Sequence, residues 1–193
     1  MENDVATLLS RHAEALALFT DRVHAVQADQ WDDPTPCTEW SVRDLVNHLT
    51  AEQLWVPALV TDGLGARDVG DAYDGDVLGR KPKTSWDTAA RAARKAFAAP
   101  GALERTVQLS YGEAPAVAYC AQMVTDAVVH AWDLSRAIGA PERLPDALVL
   151  FALDEVTPYA AELAKSGLFA PPSEPPPGDS HQTRLLALLG RRA

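Results

Sequence analysis

A few side chains in this sequence combine the right chemistry with the right spacing to hold a cation or to move a proton. Asp126, His130 and Asp133 stand at i, i+4 and i+7. On a helix that turns about 100° per residue, these positions form one stripe. A histidine with a carboxylate one turn before it offers two metal ligands on the same face. His48 lies in another apolar segment, with Asp44, Leu45, Glu52 and Trp55 one turn away, and would bring the ligand count to three. Three protein ligands leave a position for water or substrate, the pattern of catalytic rather than structural sites. The plainer alternative is that both histidines are satisfied by neighbouring carboxylates, with Asp126 or Asp133 paired to Arg136 or another base. Periodicity alone slightly favours that alternative, because most buried polar groups are simply hydrogen-bonded.

The remaining reactive side chains read as structural. His12 and His24 are expected on the polar side of a first helix, and His181 follows a run of prolines, so all three are expected at the surface. Cys37 lies between Pro36 and Thr38 with no base beside it in sequence, and Cys120 sits on an apolar face. Both are expected to behave as small hydrophobes. The tryptophans at 31, 40, 55, 86 and 132 are expected to pack. Trp55 and Trp132 are set apart by their nearness to the candidate ligands.

These side chains have to be positioned by helices. Leu8, Leu9, Ala15, Leu16, Phe19 and Val23 recur at three-four spacing and predict a first helix from Val5 to Val26. Prolines in WDDPTPCTEW interrupt it. Ser41 with Asp44 three residues on makes a capping box, which starts the helix that carries His48. Residues 61–83 are rich in Gly and Asp without an apolar period, and are expected to form a long connection. A third helix spans Ser85 to Ala98. The weak alternation around Thr106–Gly112 suggests an extended segment or hairpin. Pro115 to Ile138 is the most apolar stretch, closed by Gly139, and is expected to be the central helix. A fifth helix runs from Asp146 to Ala164, with a kink or break at Pro158. A proline-rich segment at about 170–178 should lie extended over the surface, followed by a terminal helix at 181–189. The expected fold is all-α, a single helical domain over 1–193 with at least one crossover connection.

Composition excludes several classes. The chain of 193 residues is 47% hydrophobic and 23% charged, an ordinary globular balance. A formal charge of −10, with lysines and arginines scattered, disfavours nucleic acid as a partner. There is no signal peptide pattern at the N-terminus and no run of about 18 apolar residues to span a membrane. With two separated cysteines, the expected location is the cytoplasm.

Two segments carry a family resemblance. Thr35-Pro-Cys-Thr-Glu-Trp-Ser-Val-Arg-Asp-Leu-Val-Asn-His48 and Asp126-Ala-Val-Val-His130-Ala-Trp-Asp-Leu-Ser-Arg-Ala-Ile-Gly139 resemble the signature segments of actinobacterial DinB-like metal-binding proteins. These are related to the N-terminal domain of mycothiol-dependent maleylpyruvate isomerase. The end of the chain, from Gly167-Leu-Phe-Ala through the prolines to Leu189, is similar to the tail of the same subgroup. The resemblance implies a four-helix bundle with crossover connections and a divalent metal, usually zinc, bound by His48, Asp126 and His130. The isomerase has glutamate at the position of Asp126, one methylene longer, which leaves water or Glu52 as alternative sources of the third ligand. Asp133 is then read as orienting a ligand or bonding Arg136. The implied activity is that of a thiol S-transferase, with mycothiol as cosubstrate and an electrophilic small molecule as acceptor. A non-catalytic metal-binding or sensor protein and a metal-dependent hydrolase are the alternatives, and a homodimer is left open.

Overall fold

In a computed structural model of the chain, residues 2–160, 173 and 179–192 are described. The first helix, α1, covers Glu2–Ala25. Ser41 caps α2 (Val42–Val56): its hydroxyl accepts from the Asp44 N–H, and the Asp44 carboxylate accepts from the Ser41 N–H. Pro57 lacks an N–H and cannot continue the α-helical ladder, so α2 runs into a single π-helical turn at Pro57–Thr61. The connection that follows contains only a short helix, α3 (Ala66–Val69). It is tied back to α2, where Asn47 donates to Gly75 O and accepts from Val77 N, and Arg43 pairs with Asp76.

Helix α4 spans Pro82–Phe97 and starts three residues before the expected Ser85, since Pro82 is well suited to the first turn of a helix. The suspected hairpin is present, as β1 (Thr106–Leu109) paired antiparallel with β2 (Gly112–Pro115). Helix α5 covers Ala116–Ile138 and is buried on most sides. It ends in a Schellman turn at the left-handed Gly139, with Ala140 N donating to Ser135 O and Gly139 N to Arg136 O. Helix α6 covers Asp146–Val156, shorter than expected, and residues 157–159 form a turn ahead of and around Pro158. The remainder of the expected fifth helix lies outside the described residues. So does the proline-rich segment, apart from Ser173, whose N–H donates to Ala187 O. The terminal helix, α7, spans His181–Leu188.

Helix α1 packs mainly on α5 and α4, while α2 packs on α4 and α5. Helices α1 and α2 therefore occupy opposite corners of a four-helix bundle, as do α4 and α5, and the connections 26–41 and 98–115 both cross it. Helix α6 packs outside the bundle on α5, and α7 packs on α6. The core holds Leu16, Phe19, Leu45, Leu49, Trp86, Trp132 and Leu134, all nearly inaccessible. Trp86 meets Phe19 edge-on at 4.7 Å and donates its indole N–H to Thr20 Oγ1 at 2.8 Å. None of the described helices is long and apolar enough to cross a membrane.

One expectation fails. His12 is 1% exposed, with its ring edge-on to Phe97 at 5.1 Å. It stands four residues from both Leu8 and Leu16, on the buried face of α1. His24 and His181 are exposed as expected.

Candidate metal centre

Helices α2 and α5 bring His48, Asp126 and His130 together. Their ligand-capable atoms all lie within 4.8 Å of one another. His130 Nε2 is 3.4 Å from Asp126 Oδ1, and His48 Nε2 is 4.0 Å from Asp126 Oδ2. Two atoms bound tetrahedrally to one zinc ion at about 2.0–2.1 Å stand about 3.3 Å apart, so small side-chain adjustments bring this group onto a common ion. Asp126 Oδ2 is buried and has no hydrogen-bond partner. A buried carboxylate oxygen without a donor costs free energy unless a cation or water meets it. Geometry, donor types and this orphan oxygen all fit a divalent cation. Glu52 is outside the group, although it stands one turn along α2 from His48.

The other nitrogen of His130 is equally constrained. Its Nδ1 is 2.9 Å from Asp133 Oδ2. With Nδ1–H donated to this carboxylate, the Nε2 lone pair faces Asp126 and His48, the arrangement found when a carboxylate orients a metal-binding histidine. Asp133 is fully buried and also accepts from Cys37 Sγ at 3.3 Å and from Arg191. Arg191 supplies the charge that such a carboxylate needs. The expected Arg136 partner is engaged elsewhere: it pairs with Glu142 and lies 4.5 Å over the Trp132 ring.

Cys37, His130 and Asp133 form a second group of metal-capable atoms. Their Asp133 carboxylate already binds the guanidinium of Arg191, and Cys37 sits on the Nδ1 side of His130. This group is therefore the support of the first rather than a rival to it. Cys37 has long-range polar partners that its sequence neighbours do not show. The loop that carries it is braced locally: Thr35 N donates to Trp40 O, Trp40 N to Cys37 O, and Cys37 N to Thr35 Oγ1. The same loop lays Trp40 beside His48 and His130, with ring centroids 4.9 and 6.1 Å away. Trp55 instead packs on Tyr73. Trp40 and Arg191 are thus site neighbours that the sequence did not single out, and Cys37, expected to behave as a small hydrophobe, instead has polar partners in His130, Asp133 and Arg191. Cys37 and Trp40 fall inside the first signature segment, which was the available signal for them.

The electrostatics follow from burial and crowding. Burial by itself would lower the His130 pKa, but Asp126, through its charge and hydrogen bond, and hydrogen bonds to Asp133 and Cys37 carry it well above the ordinary value. Burial favours protonated Asp133, yet the His130 hydrogen bond and the charges of His130 and Arg191 pull its pKa down to about 2. Asp126 is likewise held below its usual range by His130 and His48 against the effect of burial. His48 is lowered by burial, which outweighs the attraction of Asp126. Glu52 is raised to about 7, first by burial and then by the charge of Asp126. The carboxylates of Asp126 and Asp133 are thus ionised and balanced by His130 and Arg191, and a cation at Asp126 would take the place of the His130 proton.

A crossed bundle of four long helices with two histidines and a carboxylate facing each other from α2 and α5 defines a DinB-like helical protein. The sequence model of the mycothiol maleylpyruvate isomerase N-terminal domain family matches residues 12–135, which span α2, most of α5 and the crossing loop with Cys37 and Trp40. The chain belongs to that family. It is also 31% identical over 203 aligned residues to uncharacterized proteins of Mycobacterium tuberculosis, Rv0738 in strain ATCC 25618 / H37Rv and MT0763 in strain CDC 1551 / Oshkosh. Each alignment covers 95% of this chain and 97% of the relative. No solved structure matches the chain.

Proposed function

We propose that this protein is a metal-dependent thiol S-transferase, in which His48, Asp126 and His130 hold a divalent cation, zinc by donor type. Mycothiol is the thiol that the family points to, and an electrophilic small molecule is the acceptor. The observation that supports this reading best is the convergence of three protein donors, with Asp126 Oδ2 buried and unpartnered among them. Three donors leave room for an exogenous ligand. When bound there, the cation supplies a Lewis-acidic position at which a thiol loses its proton near neutral pH.

The chain's own residues have separable tasks. Asp133 holds the His130 ring with Nδ1–H outward from the centre, so that Nε2 is the nitrogen that would give up its proton to a bound cation. Trp40 walls the two imidazoles with an apolar surface. His48 is 31% exposed whereas His130 is 6% exposed, so access for substrates lies on the His48 side. Glu52, with a pKa near 7, is matched to accepting a proton at neutral pH. Cys120 takes no part, since burial lifts its thiol pKa to about 12.

The test is consumption of a panel of electrophiles with and without mycothiol. A cobalt-substituted sample should gain a sulfur-to-metal charge-transfer band when the thiol is added. Thiol-dependent turnover and that band support the transferase reading. Stoichiometric metal with neither response across the panel contradicts it. Glu52 also favours a second reading, metal-dependent hydrolysis with this carboxylate as the base. Turnover that is indifferent to added thiol and lost in Glu52→Gln would select it.

A further inference from the structure

The C-terminal helix ends in a way that aims one side chain at the candidate centre. Leu185, Leu186 and Leu189 are buried in the core and fix α7 against the bundle. Gly190, at φ 74°, takes the left-handed conformation that lets the chain reverse. Gly190 N donates to Ala187 O at 3.0 Å and Arg191 N to Leu186 O at 2.8 Å, the paired bonds of a Schellman turn. The Arg191 side chain is bound at several points: Nη1 donates to Leu189 O at 3.0 Å, Nε to Asp133 Oδ1 at 3.3 Å and Nη2 to Asp133 Oδ2 at 2.9 Å. Nη2 is also 3.7 Å from Cys37 Sγ. A guanidinium that grips both oxygens of a carboxylate fixes its plane as well as its charge.

We infer that Arg191 is a positioning residue for the metal centre, acting through Asp133 to hold His130 in the tautomer and orientation that present Nε2. The inference rests on the metal-centre reading above. It extends the site to a segment beyond residues 12–135, the span matched by the family model. The folding of α7 onto the bundle and the assembly of the centre thereby become one event. The carboxylate that orients the histidine is itself oriented from the far end of the chain, 58 residues away.

Charge alone makes the opposite prediction, which gives the inference a sharp test. A guanidinium repels a metal ion, so removing it should tighten metal binding if electrostatics dominates. If positioning dominates, removing it weakens binding. The experiment is competition of the full-length protein with a chromophoric chelator for Zn²⁺, for wild type, Arg191→Gln, Arg191→Lys, Asp133→Asn and the double variant. Nitrogen-15 chemical shifts of the His130 ring are recorded on the same samples without metal, at alkaline pH where the ring is neutral. Loss of an outer-shell partner costs roughly 10–100-fold in metal affinity. Asp133→Asn should fall in that range, and Arg191→Gln should weaken binding about 10-fold.

The effect of Arg191→Gln should vanish in the Asp133→Asn background, because the arginine then has nothing to act through. The ring shifts of Arg191→Gln should move from a protonated, Asp133-bonded Nδ1 toward exchanging tautomers. Arg191→Lys retains the charge without the two-point grip and should recover part of the affinity. Should Arg191→Gln fail to fold, the lysine variant and its ring shifts decide the matter, unchanged values overturning the inference. Unchanged or tighter binding in Arg191→Gln, with wild-type ring shifts, also overturns it while leaving the metal reading intact. Absence of zinc binding by the wild type overturns both.

Discussion

The buried imidazole of His12 makes stability pH-dependent in a way that can be worked out in advance. His12 is 1% exposed, its Nε2 has no hydrogen-bond partner, and burial, assisted by the nearby charge of Arg94, lowers its pKa to about 4. The unfolded chain has a histidine near pKa 6.5, so below that value the unfolded state binds the proton and the folded state does not. Stability is then lost as pH falls through the window from 6.5 to 4, the sign that follows when the unfolded state takes up more protons. Integration gives a loss of about 2 kcal/mol between pH 7.5 and 5, and about 3 kcal/mol by pH 4. Those are large fractions of the 5–15 kcal/mol typical of a domain.

The assay is urea unfolding of wild type and His12→Leu at several pH values across that window. Other titrating groups contribute equally to both proteins, so the difference between the two curves isolates His12. The variant should gain on the wild type by these amounts as the solution is acidified. Parallel curves between pH 7.5 and 4 would show that His12 protonates freely in the folded protein, refuting the argument from burial.

Other outcomes follow from the same structure. Glu52, raised to about 7, opposes stability above its unfolded pKa, so Glu52→Gln should stabilise the metal-free protein at pH 8. The gain is about 3 kcal/mol by chemical denaturation, and it should disappear at pH 4. Ser41→Ala removes the cap of α2 and should cost about 1 kcal/mol, measurable as a shift in the urea midpoint without a change in slope. Native protein should react with a thiol-specific chromogenic disulfide at Cys37 only, since Cys120 is fully buried with its pKa near 12. Both cysteines should react once the chain is unfolded in urea.

What was legible in the sequence was what local rules determine. The Ser41–Asp44 box starts α2 where expected, Gly139 ends α5, and the apolar face of α5 reports its central place. Spacing along α5 put Asp126, His130 and Asp133 on one stripe, and the signature segments singled out His48 as their companion. His12 was misread because its residue type was given more weight than its spacing, although Leu8, Leu16 and Phe19 share its face. Cys37 reads as a small hydrophobe and Trp40 as a packing residue because they lie in a crossing loop without periodicity, where turn hydrogen bonds set the geometry. The pairing of Asp133 with Arg191 rather than Arg136 depends on how α7 docks, which no short-range pattern encodes. Helix α6 ends at Val156 because Pro158 cannot donate to the ladder, the break rather than the kink of the two outcomes expected there.

Every functional role assigned to these residues requires a cation at His48, Asp126 and His130. The decisive measurement is elemental analysis by mass spectrometry of purified protein after reconstitution with Zn²⁺ and removal of excess metal. Wild type is compared with His48→Ala and His130→Ala, with circular dichroism confirming that each remains helical. The expected result is about one equivalent of metal in the wild type and a marked loss in both folded variants. A wild-type protein that retains no stoichiometric metal, or histidine variants that retain as much as wild type, would contradict it.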